Sequence, residues 1–357
     1  MRNSYAVAAP SSERCASKPV NTAANTQSRL AIGVDLGGTS IRIGAFDAEW
    51  KLRDSLSMVT RVTAGPEAVV ADIAEGVQEL LARLTRNSEH VSVGVGSPGP
   101  LNLREGTLGH LPNFPGWDGF ALRFALEDAL QTTVHLDGDA NAAVLAEWKS
   151  GAGADARIDS MAMLTLGTGV GSGFILNGKI WHGMVGMGGE AGHIPLVADG
   201  PLCGCGSRGC LEVFASATAL CRLARESAAA TKGALSALIE RNANFTAREV
   251  AVLARDGEPA AIAAYERLGF YLGYALAGLV NTLDLPLYAI GGGVAEAWNL
   301  FAPAMFRTVR EYSYLYRLSE PSQTEHLEQD KTCIAPARLG AGAGLLGAAM
   351  LPSLSES

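Results

Sequence analysis

No Walker A phosphate loop, no membrane-length apolar run and no excess of basic residues occurs in this 357-residue chain. Each absence excludes a class of function. With 28 Lys and Arg against 36 Asp and Glu, the formal net charge is -8; a nucleic-acid footprint needs clustered cations, so nucleic acid is not an expected partner. The strongest apolar run, Leu268 to Val280, falls short of the roughly 20 residues a membrane span needs. It ends near Asn281 and Asp284 and reads as a buried helix, so no membrane partner is expected. The apolar stretch Tyr5 to Ala9 is shorter than the core of an export signal. Six cysteines, three of them between positions 203 and 210, do not resemble a secreted disulfide framework. The cytoplasm is therefore the expected compartment. No short repeat of the solenoid kind is present.

What is present is enough apolar material, 48% of residues, to bury a core of two compact lobes. Residues 1–28, rich in Ala, Ser, Asn and Thr, read as a disordered extension. The run Leu30 to Asp35, the turn Gly37-Gly38-Thr39 and the alternation Ile41, Ile43, Ala45 predict a hairpin. Apolar spacing predicts a helix over Pro66 to Arg86, and Val91, Val93 and Val95 a strand before Pro98-Gly99-Pro100. A helix over Phe120 to Leu130, a strand over Val134 to Leu136 and a helix opened by Asp139 follow. The second half restarts the pattern: strand Met161 to Leu166, glycine turn Gly167 to Gly173, strand Phe174 to Leu176. Helical spacing then fills Leu211 to Leu283, before strand Leu287 to Ile290, the Gly291-Gly292-Gly293 turn and a helix over Ala341 to Met350. Two halves that open alike fit two related lobes with a cleft between them.

The 42 glycines gather in short runs, which mark close approach of backbone to a ligand or a sharp turn. Asp35-Leu36-Gly37-Gly38-Thr39-Ser40 joins a carboxylate at a strand end to two glycines and a hydroxyl. Backbone N–H groups and the hydroxyl suit phosphate oxygens, and the carboxylate suits Mg2+. Gly167-Thr168-Gly169-Val170-Gly171-Ser172-Gly173 repeats those ingredients. Taken singly, either loop reads equally well as a connecting turn. A Rossmann reading fails on context, because its glycines open a helix, whereas Phe174-Ile175-Leu176 follows here.

His193, Cys203, Cys205 and Cys210 fall within eighteen residues, with Gly204, Gly206 and Gly209 as corners. One imidazole and three thiolates form a closed tetrahedral set of the structural zinc type; Cys15, Cys221 and Cys333 read as plain thiols. Glu190 lies three residues before His193, and Glu212 two after Cys210, so a metal there would position both carboxylates. Carboxylates beside an imidazole suit the hydroxyls of a sugar ring. Away from the cluster, Glu190 would read as a solvated helix residue, and Asp139 as a helix N-cap.

In this order the segments resemble the ROK family of bacterial sugar kinases and sugar-responsive repressors. The resemblance runs from about Leu30 to Gly347. It includes Asp35 to Ser40, Pro112-Asn113, Asp139-Ala140-Asn141-Ala142-Ala143, Gly167 to Gly173, Gly189-Glu190-Ala191-Gly192-His193, Cys203 to Glu212 and Gly291-Gly292-Gly293. It implies an α/β, actin-like and hexokinase-like (ribonuclease H-like) two-lobed ATPase fold with a ligand cleft. Residues 29–136 with 340–357 would form the small lobe, and 137–339 the large lobe with the zinc loop. The resemblance places the phosphates of ATP, with Mg2+, on Asp35, Gly37, Gly38, Thr39, Gly167, Thr168, Gly169 and Gly171, and the adenosine near Gly291, Gly292 and Gly293. Sugar hydroxyls fall to Asn113, Glu190, His193 and Glu212, structural zinc to His193, Cys203, Cys205 and Cys210, and the catalytic base to Asp139. It also implies a homodimer.

One departure bears on substrate: Gly138 stands where the family usually has Asn before the catalytic Asp, removing about 0.5–1.5 kcal/mol of net hydrogen bonding to a sugar hydroxyl. The expected activity is ATP-dependent phosphorylation of a hexose, glucose first, with mannose, fructose and N-acetylglucosamine as alternatives. A sugar-responsive repressor needs a helix-turn-helix, and the residues before Leu30 carry no two-helix pattern. A sugar sensor without catalysis is the third reading.

Overall fold

The computed structural model describes residues 29–84, 90–111, 113–155, 158–229 and 232–355; the N-terminal extension and Pro112 lie outside them. In the first half β1 (Arg29–Leu36), β2 (Ser40–Phe46) and β3 (Leu52–Val59) form an antiparallel meander. Then come α1 (Pro66–Leu84), β4 (His90–Ser97), the small hairpin β5 (Leu101–Asn102) and β6 (Thr107–Leu108), α2 (Leu122–Leu130) and β7 (Val134–Gly138). Strands β4 and β7 join in parallel, giving the order β3-β2-β1-β4-β7.

The second half repeats this plan. After α3 (Asp139–Ser150), strands β8 (Met161–Leu166), β9 (Val170–Leu176) and β10 (Lys179–Ile180) form the meander. Helices α4 (Glu212–Ala215), α5 (Ala217–Ala228), α6 (Ala234–Arg241), α7 (Ala247–Arg255) and α8 (Pro259–Leu283) precede β11 (Leu287–Gly291). The chain closes with α9 (Trp298–Tyr312), α10 (Tyr316–Ser319), β12 (Cys333–Pro336) and α11 (Ala343–Met350), and β11 and β12 add in parallel to give β10-β9-β8-β11-β12. The strand, turn, strand motif read twice in the sequence is thus the start of two sheets of identical order.

Each half has its own apolar core. Val69, Val70, Ile73, Val77 and Leu80, one stripe of α1, bury against Ile32, Val34, Ile43, Val93 and Val95 of the first sheet. The second core gathers Leu268, Leu272 and Leu276 of α8 with Phe301 and Met305 of α9 and Tyr288 and Ile290 of β11. Burying a Leu- or Phe-sized side chain contributes about 1.5–3 kcal/mol, so these stripes decide which helical face turns inward. Val144 and Leu145 of α3 and Met350 of α11 pack with Met161, Met163 and Ile175 of the second sheet, while Leu345 and Ala349 of α11 pack with Ala31 and Phe46 of the first, so α11 joins the halves. These two helices cross closely, for a Cβ on Gly347 would lie 1.7 Å from Ala142 O.

Several boundaries differ from the sequence reading. The second glycine turn ends at Gly169, and Gly171 and Gly173 belong to β9. A Cβ on Gly173 would stand 2.6 Å from Ala140 O, so its glycine serves close packing of α3 on a strand. Helix α2 begins at Leu122 rather than Phe120, and a 3-10 turn over Gly340–Gly342 leads into α11.

Candidate active site

A cavity of about 710 Å3 is lined by Asn113, Thr168, Gly169, Glu190, His193 and Glu212, among others. Asn113, Glu190, His193 and Glu212 and part of the second glycine loop therefore share one space, and Asp139, also expected to meet substrate, is outside its lining. Glu212 opens α4; its Oε2 accepts from Val170 N at 3.1 Å, tying it to the glycine loop. Gly169 leaves room for it, since a Cβ there would stand 2.2 Å from that oxygen. Glu190 precedes a single 3-10 turn, Ala191–His193, with its Oε2 4.0 Å from His193 Nε2. A Cβ on Gly99, in the first half, would lie 3.4 Å from Glu190 Oε1, so this carboxylate stands where the halves meet. One side of Glu190 is open to water, while the protein behind it pushes its carboxyl up, Glu212 adding repulsion and His193 acting oppositely.

Asp139 is the first helical residue of α3. The cap is Gly138, and no side chain caps the helix, so the capping role open to Asp139 from sequence is not the one it plays. Its Oδ1 accepts its own Ala140 N–H at 2.6 Å. Asp139 as a whole residue is exposed to solvent. Desolvation by the surrounding protein and repulsion from Asp35 and Glu190 nevertheless raise its pKa to about 7. A carboxyl titrating near neutrality is matched to accepting a proton from an alcohol.

The other glycine loops lie outside the lining of this cavity but adjoin it. Gly37 to Thr39 form the β1–β2 turn, and a Cβ on Gly38 would lie 3.6 Å from the ring of Phe114, which lines the cavity. The second loop is anchored by Ala217 N to Gly167 O and Thr218 Oγ1 to Thr168 O. Gly292, with φ +85°, lies against Leu166, the residue before that loop, which sets Gly291 to Gly293 beside Gly167.

The cysteine and histidine side chains converge as expected, with ligand atoms all within 4.8 Å of one another. Cys205 Sγ and Cys210 Sγ are 3.7 Å apart, and Cys203 Sγ and His193 Nδ1 3.6 Å. Tetrahedral zinc with about 2.3 Å Zn–S and 2.0–2.1 Å Zn–N arms has edges of roughly 3.8 Å and 3.6 Å, which these two separations match, so the donor set suits the ion. With Nδ1 in the cluster, Nε2 of His193 faces Glu190.

Three residues escaped the sequence reading. Arg42 donates to Asp35 Oδ2 and to Ala341 O, so the carboxylate expected to serve Mg2+ is also paired; the hairpin register, in which Asp35 faces Arg42, was a usable signal. Buried Ser172 donates to Gly189 O and accepts from Ala191 N at 2.8 Å, fixing the backbone on both sides of Glu190. His182 donates from Nε2 to Asp137 Oδ2 at 2.7 Å, a contact across 45 residues that no local pattern shows.

A family model described as ROK family matches residues 31–353. The chain belongs to the ROK family. A glucokinase of Halalkalibacterium halodurans is 33% identical over 332 residues, covering 92% of this chain and 96% of that protein. An N-acetyl-D-glucosamine kinase of Salmonella heidelberg is 32% identical over 276 residues, covering 74% and 84%. Among solved structures, a ROK family glucokinase from Streptomyces griseus in complex with glucose and AMPPNP matches with a TM-score of 0.74 at 32% identity, covering 90% of this chain and 98% of that one. The actin-like, hexokinase-like two-lobed fold expected from the sequence is borne out.

Proposed function

We propose that this ROK protein transfers the γ-phosphoryl group of ATP to the 6-hydroxyl of glucose, with Asp139 as general base. The reaction class, ATP-dependent phosphorylation of a sugar, rests on family membership and on glucokinase relatives spanning nearly the whole chain. The observation that carries the finer reading is the meeting of Asn113, Glu190, His193, Glu212 and Gly169 around one cavity. Nearby, the carboxyl of Asp139 is raised to about 7.

In this reading Asn113, Glu190, Glu212 and His193 Nε2 bind the sugar hydroxyls and orient the ring. Asp139 accepts the 6-hydroxyl proton as that oxygen attacks, which typically contributes about 10²–10⁴-fold; positioning supplies the larger share. Backbone N–H groups of the Gly37–Thr39 and Gly167–Gly169 loops receive phosphate oxygens, and Asp35, shared with Arg42, stands ready for Mg2+. Gly291 to Gly293 flank the adenosine. Zinc held by His193, Cys203, Cys205 and Cys210 would fix the orientation of His193 and the entry to α4, a structural task with no open coordination position.

A second substrate reading, an N-acetylhexosamine, is favoured by two observations. A relative of that activity is 32% identical, and a Cβ on Gly138 would meet nothing closer than 3.6 Å, leaving space where the family's Asn would stand. A homodimer is proposed through α8 and α9, where Phe270, Tyr274 and Tyr312 are 40–45% exposed and Tyr312 packs edge to face on the other two rings. The cytoplasm is the proposed compartment, and no described helix is long and apolar enough to cross a membrane. ADP release with ATP, Mg2+ and a panel of hexoses and N-acetylhexosamines tests the assignment. Preference for glucose supports it, preference for an N-acetylhexosamine selects the second reading, and silence with every sugar overturns both.

A further inference from the structure

The segment between β10 and His193 carries Glu190, yet its own backbone has little to stiffen it. Gly183, Gly186 and Gly189 all have positive φ, at +68°, +107° and +96°, where the chain is adaptable. Its order comes from four attachments. Gly188 N donates to His182 O at 3.0 Å, closing the segment on itself, and Ser172 grips it on both sides of Glu190. The other two attachments reach the first half of the chain: Leu103 N, beside β5, donates to Val185 O at 2.9 Å, and His182 binds Asp137 at the end of β7 in the first sheet. The segment therefore leaves the second sheet, touches the first half of the fold twice and returns with Glu190 and His193.

Asp137 is built to hold that contact. Its side chain is 7% exposed, and its Oδ1 accepts both its own Gly138 N–H at 2.7 Å and Asn141 Nδ2 at 2.8 Å. The carboxylate is locked in place, and Oδ2 is left for His182. It lies two residues before Asp139, on the strand end that delivers the base to the cleft. Gly138 between them has no side chain with which to brace the sugar loop.

We propose that His182 is a positioning residue: through Asp137 it clasps the sugar loop to the strand end that carries Asp139, setting where Glu190 and His193 stand relative to the base. The proposal rests on the reading of Asp139 as base and Glu190 as sugar ligand. The hydrogen bond that Asp137 accepts raises the pKa of His182, which keeps the imidazole as a donor. Charge-assisted hydrogen bonds of this kind are about twice as strong as neutral ones, and their loss at a site that organises ligand is felt in affinity for that ligand.

The test uses the full chain with His182→Leu, His182→Gln and Asp137→Asn, varying sugar at saturating ATP and ATP at saturating sugar. His182→Leu is expected to raise KM for sugar about tenfold while KM for ATP stays within about twofold. His182→Gln, which keeps an N–H donor, restores sugar KM to within about threefold of the parent. Asp137→Asn reproduces the Leu effect, and the double variant His182→Leu/Asp137→Asn is no worse than either single one, as expected when both remove one shared contact. Unchanged sugar KM in His182→Leu, additive losses in the double variant, or equal rises in both KM values would overturn the clasp. Sugar affinity by calorimetry reads the same clasp without turnover. A protein that binds sugar, loses affinity on His182→Leu and never releases ADP would thus keep the clasp while sinking the catalytic reading.

Discussion

Gly167 and Gly169 look interchangeable in sequence, but the structure makes them respond oppositely to a methyl group. At Gly169 a Cβ would lie 2.2 Å from Glu212 Oε2 and 3.1 Å from its Cδ. Contacts between heavy atoms settle near about 3.5 Å, so the carboxylate or the loop must retreat by about 1 Å. Glu212 cannot swing away freely, because Oε2 accepts from Val170 N and Oε1 stands 3.5 Å from Cys203 Sγ. Overpacking of this kind costs about 1–3 kcal/mol, and a displacement of about 1 Å at a reacting site can cost 10²-fold in rate. At Gly167 a Cβ meets nothing within 4 Å, and Gly→Ala at an unstrained position stabilises by about 0.4–1 kcal/mol through the unfolded chain. Urea unfolding and ADP-release kinetics on the two Ala variants provide the assay. The expected result is loss of stability, with sugar KM raised at least tenfold, for Gly169→Ala, and parental or higher stability for Gly167→Ala. Equal stability in the two variants, or a Gly169→Ala variant with parental sugar KM, would refute the close-approach argument.

Three further outcomes follow from the site. Purified protein should release one zinc per chain on treatment with a thiol-reactive mercurial, and Cys210→Ser should lower the melting temperature and raise sugar KM more than ATP KM; metal analysis finding no zinc would contradict the donor geometry. Because the carboxyl of Asp139 is raised to about 7, kcat/KM for sugar should climb as pH rises through that value. The sign for stability is opposite: a carboxyl whose folded pKa exceeds its ordinary value of 3.8 contributes less to stability as pH rises toward about 7. Asp139→Asn should therefore melt higher than the parent at pH 8, with the gap closing toward pH 4, and identical pH profiles of melting would contradict the shift. Gly138→Asn, whose Cβ has space and whose backbone is extended at φ -63° and ψ 143°, should fold normally. By adding a sugar contact it should raise kcat/KM for glucose about 2–10-fold; an unchanged sugar profile would show that the position does not face substrate.

Much of the fold was legible because its inner elements are strongly periodic. The β1–β2 hairpin, the α1 stripe, β4, β8 and β11 all follow their apolar spacing, and the cysteine cluster announces itself by density. Among the elements not foreseen, three show why. Strand β3 is an edge strand whose alternating residues are mostly open to solvent, so its polar face masks it. Helix α9 contains Pro303, a residue that ordinarily argues for a break. Strand β12 has four residues, one of them proline, and owes its existence to parallel pairing with distant β11. At the site, the candidate sugar-binding residues and glycine loops were readable as local motifs. Arg42, Ser172 and His182 act on partners 7, 17 and 45 residues away, and only the last two need the tertiary fold to be found.

The measurement that bears most directly on the central claim is the turnover of Asp139→Asn, with glucose and ATP affinities measured alongside by calorimetry. Asn keeps the shape of the side chain and removes its basicity. With Asp139 as the base, kcat falls by about 10² or more while both affinities stay within about threefold of the parent. A variant that binds both ligands and turns over at the parental rate would contradict the account.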